Sequence, residues 1–103
     1  DAPPSAKFKE GLDTMDRAAF EAGLKQDGFE LSEGRMKAGC NNPDHTHPFD
    51  ARLFVLSGEL TIGRDGKLET FGPGDTCNMG ANIMHTEEVG DEDAVFLVGR
   101  RPV

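Results

Sequence analysis

His45-Thr46-His47 and His85 hold all three histidines of the chain, and both stretches are flanked by turn-forming glycines and prolines and by strand-like apolar residues. Histidines placed this way point to a metal site, because neutral imidazole is a good ligand for first-row transition metals. In a strand successive side chains alternate faces, so a His-x-His unit sends His45 and His47 to the same side. His85, arriving from a distant strand, completes a set of three imidazoles for one divalent transition metal, with Fe, Ni, Cu and Zn all suited to it. Three protein ligands leave coordination positions for water, substrate or dioxygen, which is the arrangement of a catalytic rather than a structural site.

The elements that must position these residues are mostly strands. After Gly28 the pattern predicts short strands over 29–38, 52–56, 60–63, 67–71, 75–79, 83–88 and 94–99. Turn signals separate them at Ser57-Gly58, Asp65-Gly66, Gly72-Pro73-Gly74, Gly80-Ala81-Asn82 and Gly90-Asp91. Such a density of short strands indicates an antiparallel sandwich or barrel. Upstream, Met15, Ala19, Phe20, Ala22 and Leu24 recur at helical spacing, which predicts one helix over 14–26 with Asp13 or Asp16 as its N-cap and Gly28 as its stop. The polar residues 1–7, with Pro3-Pro4, read as an extended arm.

Composition bounds the rest. A chain of 103 residues is one domain with one core. Its formal charge of -8 and the absence of a basic patch argue against nucleic acid and anionic membrane as partners. No stretch approaches the roughly 20 apolar residues that span a bilayer, so a soluble protein is expected. Cys40 and Cys77 lack CxxC spacing and read as reduced thiols, Cys77 as a small buried side chain and Cys40 as a loop residue, which suits a cytoplasmic location. The sequence opens on Asp1 rather than Met, which leaves a removed signal peptide open. All seven aromatic residues are Phe, which excludes tyrosine acid–base chemistry.

The two histidine stretches resemble the paired motifs of the cupin superfamily. Gly39, five residues, His45-x-His47, Pro48-Phe49-Asp50 and a strand ending at Gly58 match the first; Gly72-Pro73-Gly74-Asp75-Thr76, the Gly80-Ala81-Asn82 turn and His85 match the second. The resemblance covers roughly residues 29–101. It implies an all-β double-stranded β-helix, the jelly-roll barrel, over 29–103, with an arm and one short N-terminal helix over 1–28 packed outside it. Cupins usually carry a glutamate ligand four residues after the second histidine and a proline in the turn before the third; Ala51 and Gly80 stand there instead. The resemblance therefore implies a three-histidine site, of the kind some cupin oxygenases place on iron.

Strand parity sorts the neighbours. Ala51 shares the face of His45 and His47 and leaves room beside the metal, whereas Asp50 and Arg52 point the other way and read as a surface or interface pair. Glu87 lies two residues from His85 and faces inward with it. An inward carboxylate is costly unless it pairs, orients an imidazole or meets the metal; the alternative is a strand end where it reaches water. Met36, Leu53, Val55, Phe96 and Val98 read as packing around a small apolar cavity. The expected function is metal-dependent chemistry on a small organic molecule, with an Fe(II) dioxygenase-type reaction first among oxygenase, lyase and isomerase; the alternative is a sensing or storage protein without turnover. Apolar residues on both faces of the 52–56 strand predict a homodimer, one face filling the barrel and the other meeting a partner.

Overall fold

The computed structural model describes residues 17–103, so the arm, the helix start at 14–16, Met15 and both N-cap candidates lie outside the described residues. Residues 17–26 form α1. Its end is set by Gly28, whose φ of 80° puts it in the left-handed region. The Phe29 N–H donates to the Leu24 carbonyl at 2.8 Å and the Gly28 N–H to the Lys25 carbonyl at 3.3 Å, the Schellman arrangement that satisfies the last carbonyls of a helix.

Eight strands follow: β1 (Glu30–Met36), β2 (Asn41–His45), β3 (Phe49–Ser57), β4 (Leu60–Arg64), β5 (Lys67–Phe71), β6 (Thr76–Met79), β7 (His85–Val89) and β8 (Ala94–Pro102). All ladders are antiparallel, giving one four-stranded sheet in the order β1-β8-β3-β6 and another in the order β2-β7-β4-β5. The expected jelly roll is present. Its sheets face one another as a sandwich rather than closing into a continuous barrel, because no ladder joins the two sheets among the described strands. Seven strands fall where alternation and turn residues place them. At the β4–β5 turn, Asp65 (φ 57°) and Gly66 (φ 74°) are both left-handed, as a two-residue hairpin matched to strand twist requires.

The core lies between the sheets. Val55, Phe96 and Val98 from one sheet and Leu60, Ile62 and Val89 from the other are buried, with Met36 and Leu53 packed at its edge. Cys77 is buried among them, and burial pushes its thiol pKa up, so it is a protonated core side chain. Cys40 lies in the loop before β2, partly buried.

The outer face of β3 is closed by the chain's own helix. Phe54 is fully buried, its ring 5.4 Å from that of Phe20. Leu24 is 1% exposed, and it packs so tightly on β8 that a Cβ at Gly99 would run into it. The unpartnered apolar face that predicted a homodimer is thus covered within the monomer. Phe54→Ala removes the ring that joins helix to sheet and should cost about 3–5 kcal/mol, the range for a fully buried Phe. A urea melt checks this, and a loss below about 1 kcal/mol would mean that α1 adds little to stability.

Candidate metal centre

The site is built by two local devices at one end of the sandwich. The first is a bulge. Asn42 pairs with Glu87 and His45 with His85, three residues on β2 against two on β7, so the extra residue re-aims His45 onto the face that Asn42 already shares. Pro43 is tolerated there because β2 is an edge strand. The second device is a pair of ties between the two motifs. The Asn82 N–H donates to the His47 carbonyl at 2.7 Å, and the Ala81 N–H donates to Asp50 Oδ1 at 2.9 Å. Asn82, with φ 63°, takes the left-handed turn that precedes His85.

The three histidines converge as expected, by a different route. β2 ends at His45, and His47 lies past the strand, so strict alternation does not place it. His47 is instead stacked on Phe49, with ring centroids 5.0 Å apart and planes 17° apart. Imidazole centroids are 4.4 Å apart for His45–His85, 4.8 Å for His45–His47 and 5.1 Å for His47–His85. His85 is 2% exposed, the one buried polar side chain among the described residues.

Glu87 joins them. One ligand atom each from His45, His47, His85 and Glu87 all lie within 4.8 Å of one another. Parity along β7 points Glu87 inward with His85, as expected, and its carboxylate meets the imidazoles from β7 rather than from the Ala51 position on β3. Ala51 does face the same cavity. Glu87 Oε2 is 3.3 Å from His85 Nε2 and 3.7 Å from His45 Nε2, while Oε1 accepts a hydrogen bond from Asn42 Nδ2 at 2.9 Å. Sequence reasoning missed Asn42, since only the bulged pairing of β2 brings it beside Glu87.

Tautomers decide what this cluster can hold. His45 Nδ1 lies 2.7 Å from the Pro43 carbonyl and His85 Nδ1 lies 2.9 Å from the Ile83 carbonyl. A carbonyl only accepts, so both Nδ1 atoms carry a proton and both Nε2 atoms turn toward the Glu87 carboxylate. Two Nε2 atoms facing one carboxylate are satisfied by a cation between them, a proton or a metal ion. His47 holds its proton less readily than usual, chiefly because it is desolvated and then because the other two imidazoles oppose a further positive charge. The donor set of three imidazole nitrogens and one carboxylate therefore fits a divalent transition metal.

A cavity of about 300 Å³ opens beside the cluster. Its walls are apolar, including Leu53, Ile62, Met79, Phe96 and Val98, so it suits a small organic molecule.

Asp50 and Arg52 do not pair with one another. Arg101 Nη2 lies 3.2 Å from Asp50 Oδ2, and Arg52 Nη1 lies 2.7 Å from Asp27 Oδ2, because register sets Asp50 opposite Arg101 and brings Arg52 beneath the end of α1. The Ala81 N–H, then Arg101, holds the Asp50 carboxyl below its usual value of 3.8. A depressed carboxyl pKa stabilises the fold above about pH 3.8, and that contribution is lost as pH falls through the lower folded value. Asp50→Asn should therefore lose less stability than the unaltered protein as pH is lowered from about 4 in urea melts; parallel curves would remove Asp50 from the acid response.

The family model for the cupin domain matches residues 32–99. The chain belongs to the cupin family. This cupin is similar to a solved structure of unknown function from Rhizobium leguminosarum bv. viciae, at 27% identity and a TM-score of 0.67 over 73% of this chain and 71% of that one. It is also similar to the DMSP lyase DddQ from Ruegeria pomeroyi, at 28% identity and a TM-score of 0.63 over 71% of this chain; the match spans 38% of the lyase. The polyketide cyclase RemF from Streptomyces resistomycificus aligns at 25% identity and a TM-score of 0.60 over 73% of the cupin and 60% of the cyclase. No curated protein sequence matches the chain. No helix among the described residues is long and apolar enough to cross a membrane.

Proposed function

We propose that this cupin holds one divalent transition metal ion on His45, His47, His85 and Glu87 and uses it to transform a small organic molecule in the adjoining cavity. The observation that carries this reading is the convergence of one ligand atom each from His45, His47, His85 and Glu87 within 4.8 Å, with the Nδ1 atoms of His45 and His85 committed to backbone carbonyls and their Nε2 atoms turned inward. A bound divalent ion supplies Lewis acidity toward a substrate oxygen. The chain's own residues do the rest: Asn42 fixes the Glu87 carboxylate, Phe49 fixes the His47 ring, and the apolar walls keep bulk water from the reacting end.

One observation supports a redox-neutral elimination or cyclisation over dioxygenase chemistry, the likeness to a lyase and a cyclase. It also fits the lyase and isomerase side of the expectation drawn from the sequence. The test is to load untagged protein with Fe(II), Ni(II), Cu(II) or Zn(II), incubate each form with a panel of small organic acids, and follow products by NMR beside an oxygen electrode. Product without oxygen uptake is expected. Uptake in step with product would restore the oxygenase, and ligand binding without product from any form would favour a sensor or store.

A further inference from the structure

Among the described residues, Arg100 is the lining cation of this cavity that no carboxylate pairs with. Among the described residues Arg17, Arg35, Arg52 and Arg101 each pair with an acidic side chain, and Arg35, the other arginine at the cavity, is occupied by Asp93 at 3.1 Å. Arg100 donates only to the neutral Ser32 Oγ, at 3.3 Å. Its register partner on β1, Glu30, is exposed and forms no ion pair with it.

The register also fixes where Arg100 stands. It pairs with Ala51 across β3 and lies two residues beyond Val98, so it belongs to the inner face of its sheet, at the open end of the cavity. Its guanidinium carbon is 5.6 Å from the Phe49 ring centroid, and that ring is stacked on His47. Arg100 and the ligand cluster therefore line one cavity, with the Phe49 ring beside both. A divalent ion on three neutral imidazoles and one carboxylate leaves a net positive charge, and Arg100 adds another in a cavity with apolar walls.

We infer that the molecule taken by this cavity is an organic anion, with a carboxylate held by the Arg100 guanidinium and its other polar end directed at the His45, His47, His85 and Glu87 cluster. The inference rests on the metal-centred reading of that cluster and names the substrate class for it. Guanidinium is the side chain whose planar fork matches a carboxylate, and a neutral amide in the same place forfeits the charge-assisted bonds.

The experiment uses the full chain loaded with Zn(II) and titrated calorimetrically with succinate, glutarate and adipate and with the monoamide of each. At least one dicarboxylate should bind about 10-fold or more tightly than its monoamide. Arg100→Gln should erase that preference, and Arg100→Lys should keep part of it as a point charge without the fork. Zn(II) titrations of all three proteins should be alike, since Arg100 is exposed at the rim and does not belong to the ligand cluster. Equal affinities for acid and amide, a preference that survives Arg100→Gln, or no binding of any dicarboxylate to Zn(II)-loaded protein would overturn the inference while leaving the metal site standing. Failure of the unaltered protein to take up Zn(II) would overturn both.

Discussion

Replacing His47 with alanine should abolish stoichiometric metal binding without unfolding the protein. His47 lies beyond the end of β2 and contributes its side chain only to the ligand cluster and to the face of Phe49. Its backbone carbonyl, which accepts the Asn82 N–H, is untouched by the substitution. The core between the sheets and the seat of α1 on Phe54 lie elsewhere, so metal-free stability should fall by about 1 kcal/mol or less. The unaltered protein should gain about 2.7 kcal/mol in metal at 100-fold over its dissociation constant, and the variant should gain nothing. Circular dichroism and thermal melts with and without metal check both halves. An unfolded variant, or one with an undiminished metal-dependent shift, would contradict the expectation.

Glu87→Gln tests whether the carboxylate is a ligand or only an orienting partner. Residues that merely orient ligands change metal affinity by about 10- to 100-fold; loss of a charged ligand should exceed that range. The geometry adds a second, opposite effect. Glutamine keeps an oxygen to accept from Asn42 Nδ2, and its amide N–H groups can donate to unprotonated Nε2 atoms of His45 and His85, which an unprotonated carboxylate cannot do. The metal-free variant should therefore be at least as stable as the metal-free parent while its metal affinity falls by more than ~100-fold. A fall of only ~10-fold would make Glu87 an orienting residue. A metal-free protein destabilised by the change would mean that His45 or His85 is an imidazolium paired with the carboxylate.

Much of this was legible before any coordinates because the chemistry sits on the most regular elements. His85 and Glu87 share a face of β7, so period-two parity alone turns the carboxylate inward, and the same parity puts Ala51 at the cavity and Asp50 and Arg52 outside. The glycine, proline and asparagine turns mark strand ends because each demands a backbone conformation that few residues take. β2 was not legible. Asn41-Asn42-Pro43-Asp44-His45 contains none of the β-branched or aromatic residues that signal a strand, and it is held as an edge by β7 across a bulge that sequence does not display. Asn42 was lost with it. The partners of Asp50 and Arg52 come from β8 and from the end of α1, contacts set by register and helix docking rather than by any local pattern. Helical spacing of Phe20 and Leu24 foretold an apolar helix face; that it would close the outer face of β3, and so remove the reason for a second copy there, depended on the tertiary fold.

The most direct test of the central claim is a crystal structure of the protein soaked in Zn(II), with anomalous scattering collected at the zinc edge. One full-occupancy peak per chain, bounded by the imidazoles of His45, His47 and His85 and by the Glu87 carboxylate, is the expected result. No peak at saturating Zn(II), or a peak at the surface with Glu87 still turned on vacant Nε2 atoms, would contradict it.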